Sequence, residues 1–153
     1  MKATLEGRAV GILIADGSDA ALVASVREAA TAAGAKVKIV APKVGGAKLS
    51  DGTKLQAQGQ LAGTPSVMFD AVAVILSEAG AAMLCKEAAA VDFVRDAFGH
   101  LKAIAIDAGG QRLVQRAGIE PDDGVVAAHD TAKFIAAAKT RHWDREPKVR
   151  TLA

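Results

Sequence analysis

The sequence is poor in aromatic residues, and this scarcity limits both the core and the chemistry of the protein. Phe, Trp and Tyr make up 3% of the 153 residues, with four Phe, one Trp and no Tyr. A core without large rings must be built from small aliphatic side chains, which suits a parallel sheet covered by helices on both faces. The missing Tyr excludes any catalytic step or iron ligand that needs a phenol.

Cysteine and long apolar runs are also scarce. Cys85 is the single cysteine, so the chain cannot form an internal disulfide. No apolar run approaches the roughly 20 residues that span a bilayer, and the first residues lack the apolar stretch of a secretion signal. We therefore expect a cytoplasmic protein that does not insert into a membrane.

The charge is nearly balanced, but its excess is concentrated at one end. Lys and Arg number 19 against 17 Asp and Glu, which does not predict a nucleic-acid-binding protein. Residues 139–153 hold five cationic and two acidic side chains, a net charge of +3, so the rest of the chain carries −1. We predict one domain over residues 1–140 and a basic arm over residues 141–153.

The basic arm contains a pattern that is typical of a contact with a partner protein. Arg141, His142 and Trp143, with Arg145, place an indole ring among cations. An alternative is equally compatible with the pattern. The last helix could end here with its long side chains lying over its own apolar surface.

Apolar runs and turn residues predict a doubly wound α/β fold. Short apolar runs predict strands at 9–15, 37–41, 71–76, 103–106 and 125–126. Helical spacing predicts helices after a cap at Ser18 or Asp19, over 81–98, from Gly109 to Gly118 and after Asp130. The Asp51-Gly52 pair predicts an antiparallel hairpin outside the main sheet. The order indicates a three-layer, flavodoxin-like, mainly parallel sheet with a β-hairpin excursion.

In such a fold, ligands bind beyond the carboxyl ends of the strands. The loops to search are therefore 16–19, 77–80, 107–111 and 127–130. Asp107 follows a strand and precedes a helix, which is the position of a nucleophile elbow. The alternative role is a carboxylate that caps the following helix. Gly109 and Gly110 lack the spacing of a phosphate-binding loop.

Cysteine and histidine are the other residue types with the chemistry for catalysis or metal binding. Cys85 beside Lys86 would be reactive at a helix N-terminus, but its apolar neighbours favour a packed thiol. His100 and His129 have no second ligand at metal spacing, so we expect no metal site.

Several stretches together resemble one family, the C-terminal domain of large-subunit catalases. That family is related to the superfamily of PfpI proteases and class I glutamine amidotransferases. The most specific stretches are Thr-Pro-Ser-Val-Met-Phe-Asp-Ala at 64–71 and His-Trp-Asp-Arg at 142–145. The remaining stretches are Gly-Ile-Leu-Ile-Ala-Asp-Gly at 11–17, Ala-Pro at 41–42, Ala-Val-Asp-Phe at 90–93 and Leu-Lys-Ala-Ile-Ala at 101–105.

The resemblance implies a lineage without hydrolytic machinery. Protease-like and deglycase-like members of the superfamily carry a cysteine at the elbow and a glutamate from the first helix. Here those positions match Asp107 and the neighbourhood of Leu22. The resemblance also implies that haem and peroxide chemistry belong to a separate catalase core domain, so we expect no cofactor in this chain.

Besides a small-molecule sensor that uses the crevice at the strand ends, two functions remain open. The first is a non-catalytic accessory module that stabilises an oligomer or acts as a chaperone-like module. Its partners would be the catalase core domain, another copy of the chain or unfolded clients. The second is a free-standing PfpI-like enzyme, a glyoxalase, deglycase or peptidase, that uses Cys85 or Asp107.

Overall fold

The structure is a computed structural model, and it describes residues 5–140. The strands are β1 (Ala9–Leu13), β2 (Lys36–Ala41), β3 (Ala47–Lys48), β4 (Lys54–Leu55), β5 (Gly59–Gln60), β6 (Ala71–Val74), β7 (Ala103–Ile106) and β8 (Val125–Ala127). The helices are α1 (Ala20–Ala32), α2 (Glu78–Leu84), α3 (Ala88–Gly99), α4 (Ala108–Arg116) and α5 (Thr131–Ala138). Two short 3₁₀ helices, Leu61–Gly63 and Ser66–Met68, lie between β5 and β6.

The main sheet has six parallel strands in the order β5-β2-β1-β6-β7-β8. Apart from the edge strand β5, this is the flavodoxin-like order, in which the chain reverses direction across the sheet between β1 and β6. β3 and β4 form a separate antiparallel pair around Asp51 and Gly52. The predicted fold class, including the hairpin, is therefore confirmed.

Helices cover both faces of the sheet and enclose two cores of small side chains. α1 and α5 pack on one face over Ile12, Ile39 and Ala73. α2, α3 and α4 pack on the other face over Leu13 and Val72. Because the central strands are buried on both sides, they read as continuous apolar runs without alternation.

The helix caps follow the sequence closely. Asp19 and Asp130 each accept a hydrogen bond from a backbone amide in the first turn of α1 and α5. Gly34, just beyond α1, has a φ of +97°, as expected for a left-handed residue after a helix C-terminus. None of the helices in residues 5–140 combines the length and the hydropathy needed to cross a bilayer.

The prediction of one helix over 81–98 is wrong, because the chain forms two helices there. α2 ends at Leu84, and Glu87 has an extended backbone with φ −101° and ψ 117° before α3 begins. α2 packs on α4, whereas α3 packs on α4, β7 and both 3₁₀ helices. The intervening turn redirects the chain so that both helices bury an apolar face.

Edge strand β5 and the two 3₁₀ helices are not predicted by the sequence patterns. β5 is two residues long and contains Gly59, which gives no apolar alternation. Its place is set by pairing with β2, where the side chain of Gln58 also accepts a hydrogen bond from the Ile39 amide at 2.7 Å.

Gly11 in the central strand β1 makes room for the ring of Phe69. A Cβ atom at position 11 would lie only 2.5 Å from a ring carbon of Phe69. Phe69 cannot easily move, because it is 2% exposed and its ring packs against Phe93 with centroids 6.3 Å apart. A single glycine thus fits the largest type of side chain in the core against the sheet.

We expect Gly11→Ala to destabilise the fold by about 1 to 3 kcal/mol, since it overpacks a rigid site. Phe69→Leu shortens the opposing group, so the double variant is expected to lose less free energy than the sum of the single variants. Urea unfolding of the four proteins measures this coupling. Gly63→Ala is the control, because no heavy atom lies within 4 Å of the added Cβ. Additive losses at positions 11 and 69 would contradict the assignment.

Candidate functional site

The four candidate loops lie at the carboxyl edge of the parallel sheet, as predicted. The crevice expected there falls between β1 and β6, where the strand order reverses. Its chemistry depends on which polar groups remain available to a ligand.

Serine side chains close the crevice between β1 and β6. Ser18 is fully buried, and its hydroxyl accepts from the Ala15 amide at 3.0 Å and donates to the Ile75 carbonyl at 2.5 Å. The Ser77 hydroxyl accepts from the Gly80 amide at 3.0 Å and donates to the Asp16 carbonyl at 3.2 Å. Both hydroxyls therefore bind backbone groups of the loops themselves, which ties the two strand ends together.

The glycine pair after Asp107 serves close packing. Gly109 and Gly110 are buried in the first turn of α4. We call residues 71–76, which are β6 and the two residues after it, the β6 segment. A Cβ atom at Gly109 would overlap the carbonyl oxygen of Leu76 in this segment, and a Cβ atom at Gly110 would overlap that of Val74. The two glycines therefore allow α4 to begin in direct contact with the end of this segment, and the Gly110 amide already donates to Asp107.

Asp107 has the chain position of an elbow residue and the contacts of a helix cap. Its carboxylate accepts hydrogen bonds from the Gly110 amide at 2.8 Å and from the Leu76 amide at 3.1 Å. The first bond caps α4, and the second links α4 to the end of the β6 segment. Its backbone is extended, with φ −98° and ψ −169°, and lacks the strain of a nucleophile elbow.

Burial raises the pKa of the Asp107 carboxyl above its ordinary value. The amides of Gly110 and Leu76 offset part of this shift, because they stabilise the charged form, and the charge of Asp19 adds to it. No hydrogen bond joins His129 to this carboxylate in residues 5–140. The side chain is thus held by backbone donors rather than by a catalytic partner.

Cys85 lies away from the elbow, at the C-terminal cap of α2. It is partly buried against the second core, and its Sγ contacts the Arg112 carbonyl oxygen at 3.8 Å. Arg112 is five residues beyond Asp107 along α4, which corresponds to about 7.5 Å along the helix axis. The structure therefore does not bring Cys85 and Asp107 together as a nucleophile and its base.

No group of three or more metal-ligating side chains occurs within residues 5–140. Leu22, which matches the neighbourhood of the superfamily's glutamate, packs against the first core. The predicted partner-contact residues Arg141, His142, Trp143 and Arg145 lie outside the described residues.

Two surface grooves lie outside the four loops at the carboxyl edge of the sheet. One, of about 660 Å³, separates α1 from the β3–β4 hairpin. The other, of about 450 Å³, separates the N-terminal part of α3 from the 61–65 segment and is bordered by Asp92 and Asp96. The spacing of these two acids was visible in the sequence, but the apolar wall opposite them was not.

The comparison with protein families identifies the lineage of this fold. Residues 6–147 match the model of the C-terminal domain found in long catalases. The chain belongs to this family. The match extends beyond the described residues and includes the segment around Trp143.

Curated relatives of this catalase C-terminal domain are long catalases. Catalase C of Rhizobium meliloti is 40% identical over 95% of the chain, and catalase HPII of Pseudomonas aeruginosa is 31% identical over 97%. The chain spans 21% and 22% of their respective lengths. It thus corresponds to about a fifth of these relatives.

Solved structures show the same fold at low sequence identity. DJ-1 of Schizosaccharomyces pombe has a TM-score of 0.69 at 13% identity, covering 93% of this chain and 96% of its own. A two-domain protein of Anabaena variabilis with DJ-1/ThiJ/PfpI-like and ferritin-like domains has a TM-score of 0.69 at 19% identity, covering 76% of this chain and 34% of its own. Both place the catalase C-terminal domain in the predicted fold.

The cap role of Asp107 predicts different results for two substitutions. Asp107→Ala should cost about 1 to 3 kcal/mol, because it leaves the amides of Leu76 and Gly110 without an acceptor. Asp107→Asn keeps an acceptor and should cost less.

A pH series tests the charge on Asp107. Since the pKa of Asp107 is raised in the folded state, this carboxyl binds more protons in the native protein than in the unfolded chain between its ordinary pKa of 3.8 and its raised pKa. The stability of the wild type relative to Asp107→Asn should therefore fall as the pH rises through this range. Urea unfolding across the acid range measures it, and a relative stability that rises with pH would contradict the assignment.

The position of Cys85 predicts slow alkylation in the folded protein. Its Sγ lies against α4 and part of its surface is covered, so we expect iodoacetamide to label it more slowly in native than in urea-unfolded protein. Mass spectrometry of the single thiol gives both rates. Equal rates would show that the thiol is open to solvent.

Proposed function

We propose that this chain is a non-catalytic accessory module that acts through protein contacts, with no haem or peroxide chemistry of its own. One observation carries the proposal. The elbow position holds Asp107, whose carboxylate is used to join α4 to the end of the β6 segment. A side chain that holds two elements together in this way is not free to attack a substrate.

The family supports a role beside a catalytic domain. Its members are found in long catalases, and the curated relatives extend well beyond the matched part. The resemblance to large catalases implies a Tyr as the proximal iron ligand of the catalase core, and this chain has no Tyr. We therefore assign haem and hydrogen peroxide chemistry to the remainder of a long catalase, in the cytoplasm.

The partners proposed are a catalase core domain, another copy of this chain or unfolded clients. Exposed apolar side chains could contact them, notably Val67 and Met68, which are 53% and 51% exposed on adjacent positions. Residues 1–140 would form the domain, and the basic arm at 141–153 would add a second contact.

The alternative of a PfpI-like enzyme has less support. Cys85 lies at a helix C-terminus, where the helix dipole does not favour a thiolate. Asp107 has no histidine or lysine hydrogen-bonded to it within residues 5–140. Methylglyoxal turnover above background that is lost in Cys85→Ser or Asp107→Asn would favour the enzyme instead.

The accessory role is tested by heating two proteins with and without a molar excess of the chain. The first is a client enzyme that aggregates on heating, followed by light scattering. The second is a long catalase from which the C-terminal domain has been removed, followed by its residual activity. We expect protection of at least one of them, and an equal mass of an inert protein should protect neither.

A pair of variants links protection to the apolar surface. Val67→Ser with Met68→Ser should lower protection, because it removes two adjacent exposed apolar groups. Val44→Ser is the matched control, since Val44 is 71% exposed in the loop before β3. Absence of protection in both assays would overturn the proposed function.

A further inference from the structure

A second surface of the molecule has the features of a peptide-binding site. We call it the acidic groove, and its volume is about 450 Å³. It is lined by Leu61, Ala62, Gly63, Pro65, Ala89, Asp92, Phe93 and Asp96. It lies between the first 3₁₀ helix and α3, on the face of the sheet opposite α1 and α5.

The acidic rim of the groove has no recorded salt bridge within residues 5–140. Asp92 and Asp96, which form this rim, are exposed one turn apart on α3. Arg95 lies between them in sequence, but its guanidinium donates to the Ala117 carbonyl at 3.0 Å and 3.3 Å. Two like charges at this spacing destabilise a helix slightly, so a cation from a partner would be favourable.

The wall opposite α3 is apolar and is formed by Leu61, Ala62, Gly63 and Pro65. Leu61 and Phe93 form a buried floor, and Phe93 packs on Phe69. The turn after Pro65 is fixed by Lys102, a 5% exposed residue whose Nζ donates to the Val67 carbonyl at 3.0 Å. A rigid apolar wall facing two carboxylates fits an extended segment that carries cations and a large apolar ring.

The chain itself contains a segment with this chemistry. The basic arm, residues 141–153, has four cationic and two acidic side chains and includes the single Trp of the protein, Trp143. Lys139 precedes it and adds a fifth cation. Charge complementarity thus pairs the arm with the acidic groove.

The topology favours a pairing between two copies over one within a single copy. α5, the last described helix, ends at Ala138 and packs on α1, β7 and β8. The acidic groove lies on the other face, beside the segment that follows β5 at the far edge of the sheet. To reach its own groove, the arm would have to cross from one face and one edge of the sheet to the other.

We propose that the acidic groove binds the basic arm of a second copy of this chain, so that two copies exchange arms in a closed dimer. Trp143 would lie against the apolar wall, and Arg141 and Arg145 would face Asp92 and Asp96. Reciprocal exchange uses the same two surfaces on each copy and closes without further subunits. The inference rests on the proposed function only in that the module acts through protein contacts.

Charge reversal on each side of the contact tests the exchange in the full chain. D92K/D96K reverses the groove and R141E/R145E reverses the arm, so either variant alone opposes like charges. Sedimentation velocity should give a dimer for the wild type and at least about tenfold weaker association for each variant. E28K/D123K is the control, because it changes two exposed acids elsewhere by the same charge and should leave the dimer intact.

An equimolar mixture of the two reversed variants separates exchange from contact within one copy. Each arm then meets a groove of opposite charge only on the other variant, so the mixture should form dimers again. The emission of Trp143, the single Trp in a protein without Tyr, should shift to shorter wavelength with dimer formation. Circular dichroism of each variant confirms that it is folded.

Several results would overturn the exchange. These are a wild type that stays monomeric, a dimer that persists in either reversed variant, equal loss in the control, and a mixture that stays monomeric. The arm would instead bind the groove of its own copy if two results are found together. The mixture stays monomeric, and Trp143 emits at shorter wavelength in the wild type than in either reversed variant. Failure of the exchange with protection still present in the heating assays would leave the proposed function standing.

Discussion

The rest of this structure depends on one constraint, a six-stranded parallel sheet whose central strands are buried on both faces. Burial on both sides leaves little room for polar groups along the strands, so each free backbone amide at the carboxyl edge must be satisfied locally. Ser18, Ser77 and Asp107 do this with their side-chain oxygens. The groups that would form a ligand site in another doubly wound protein are here used to hold the strand ends together.

The same constraint accounts for the close packing around the sheet. Because aromatic side chains are few, helices and strands can lie close together. They do so where glycine removes a Cβ, as at Gly109 and Gly110 against the end of the β6 segment. Gly11 does the reverse and makes room for one of the four Phe rings. Filling the sheet edge in this way leaves the grooves to the outer surfaces, beside α1 and α3.

The polar groups at the strand ends are used by the fold itself, so the surfaces open to a partner lie on the outside of the molecule. This difference is the physical basis of the proposed function. The fold is that of DJ-1-like proteins, and the chain belongs to the family of C-terminal domains of long catalases. In this chain, the elbow residue Asp107 has become a structural link between α4 and the β6 segment. The arm exchange proposed for the acidic groove would give such a module a direct means of joining two subunits.

The sequence by itself determined the fold class, the hairpin and the cap at Asp130, because apolar runs, turn pairs and capping residues act over a few neighbouring positions. It also placed Asp107 at the elbow, while leaving its role open. Only the tertiary structure decided that role, since the acceptor of the Leu76 amide comes from a residue 31 positions away. The split between α2 and α3, edge strand β5 and the acidic groove were likewise decided by packing between distant segments, which no local pattern records.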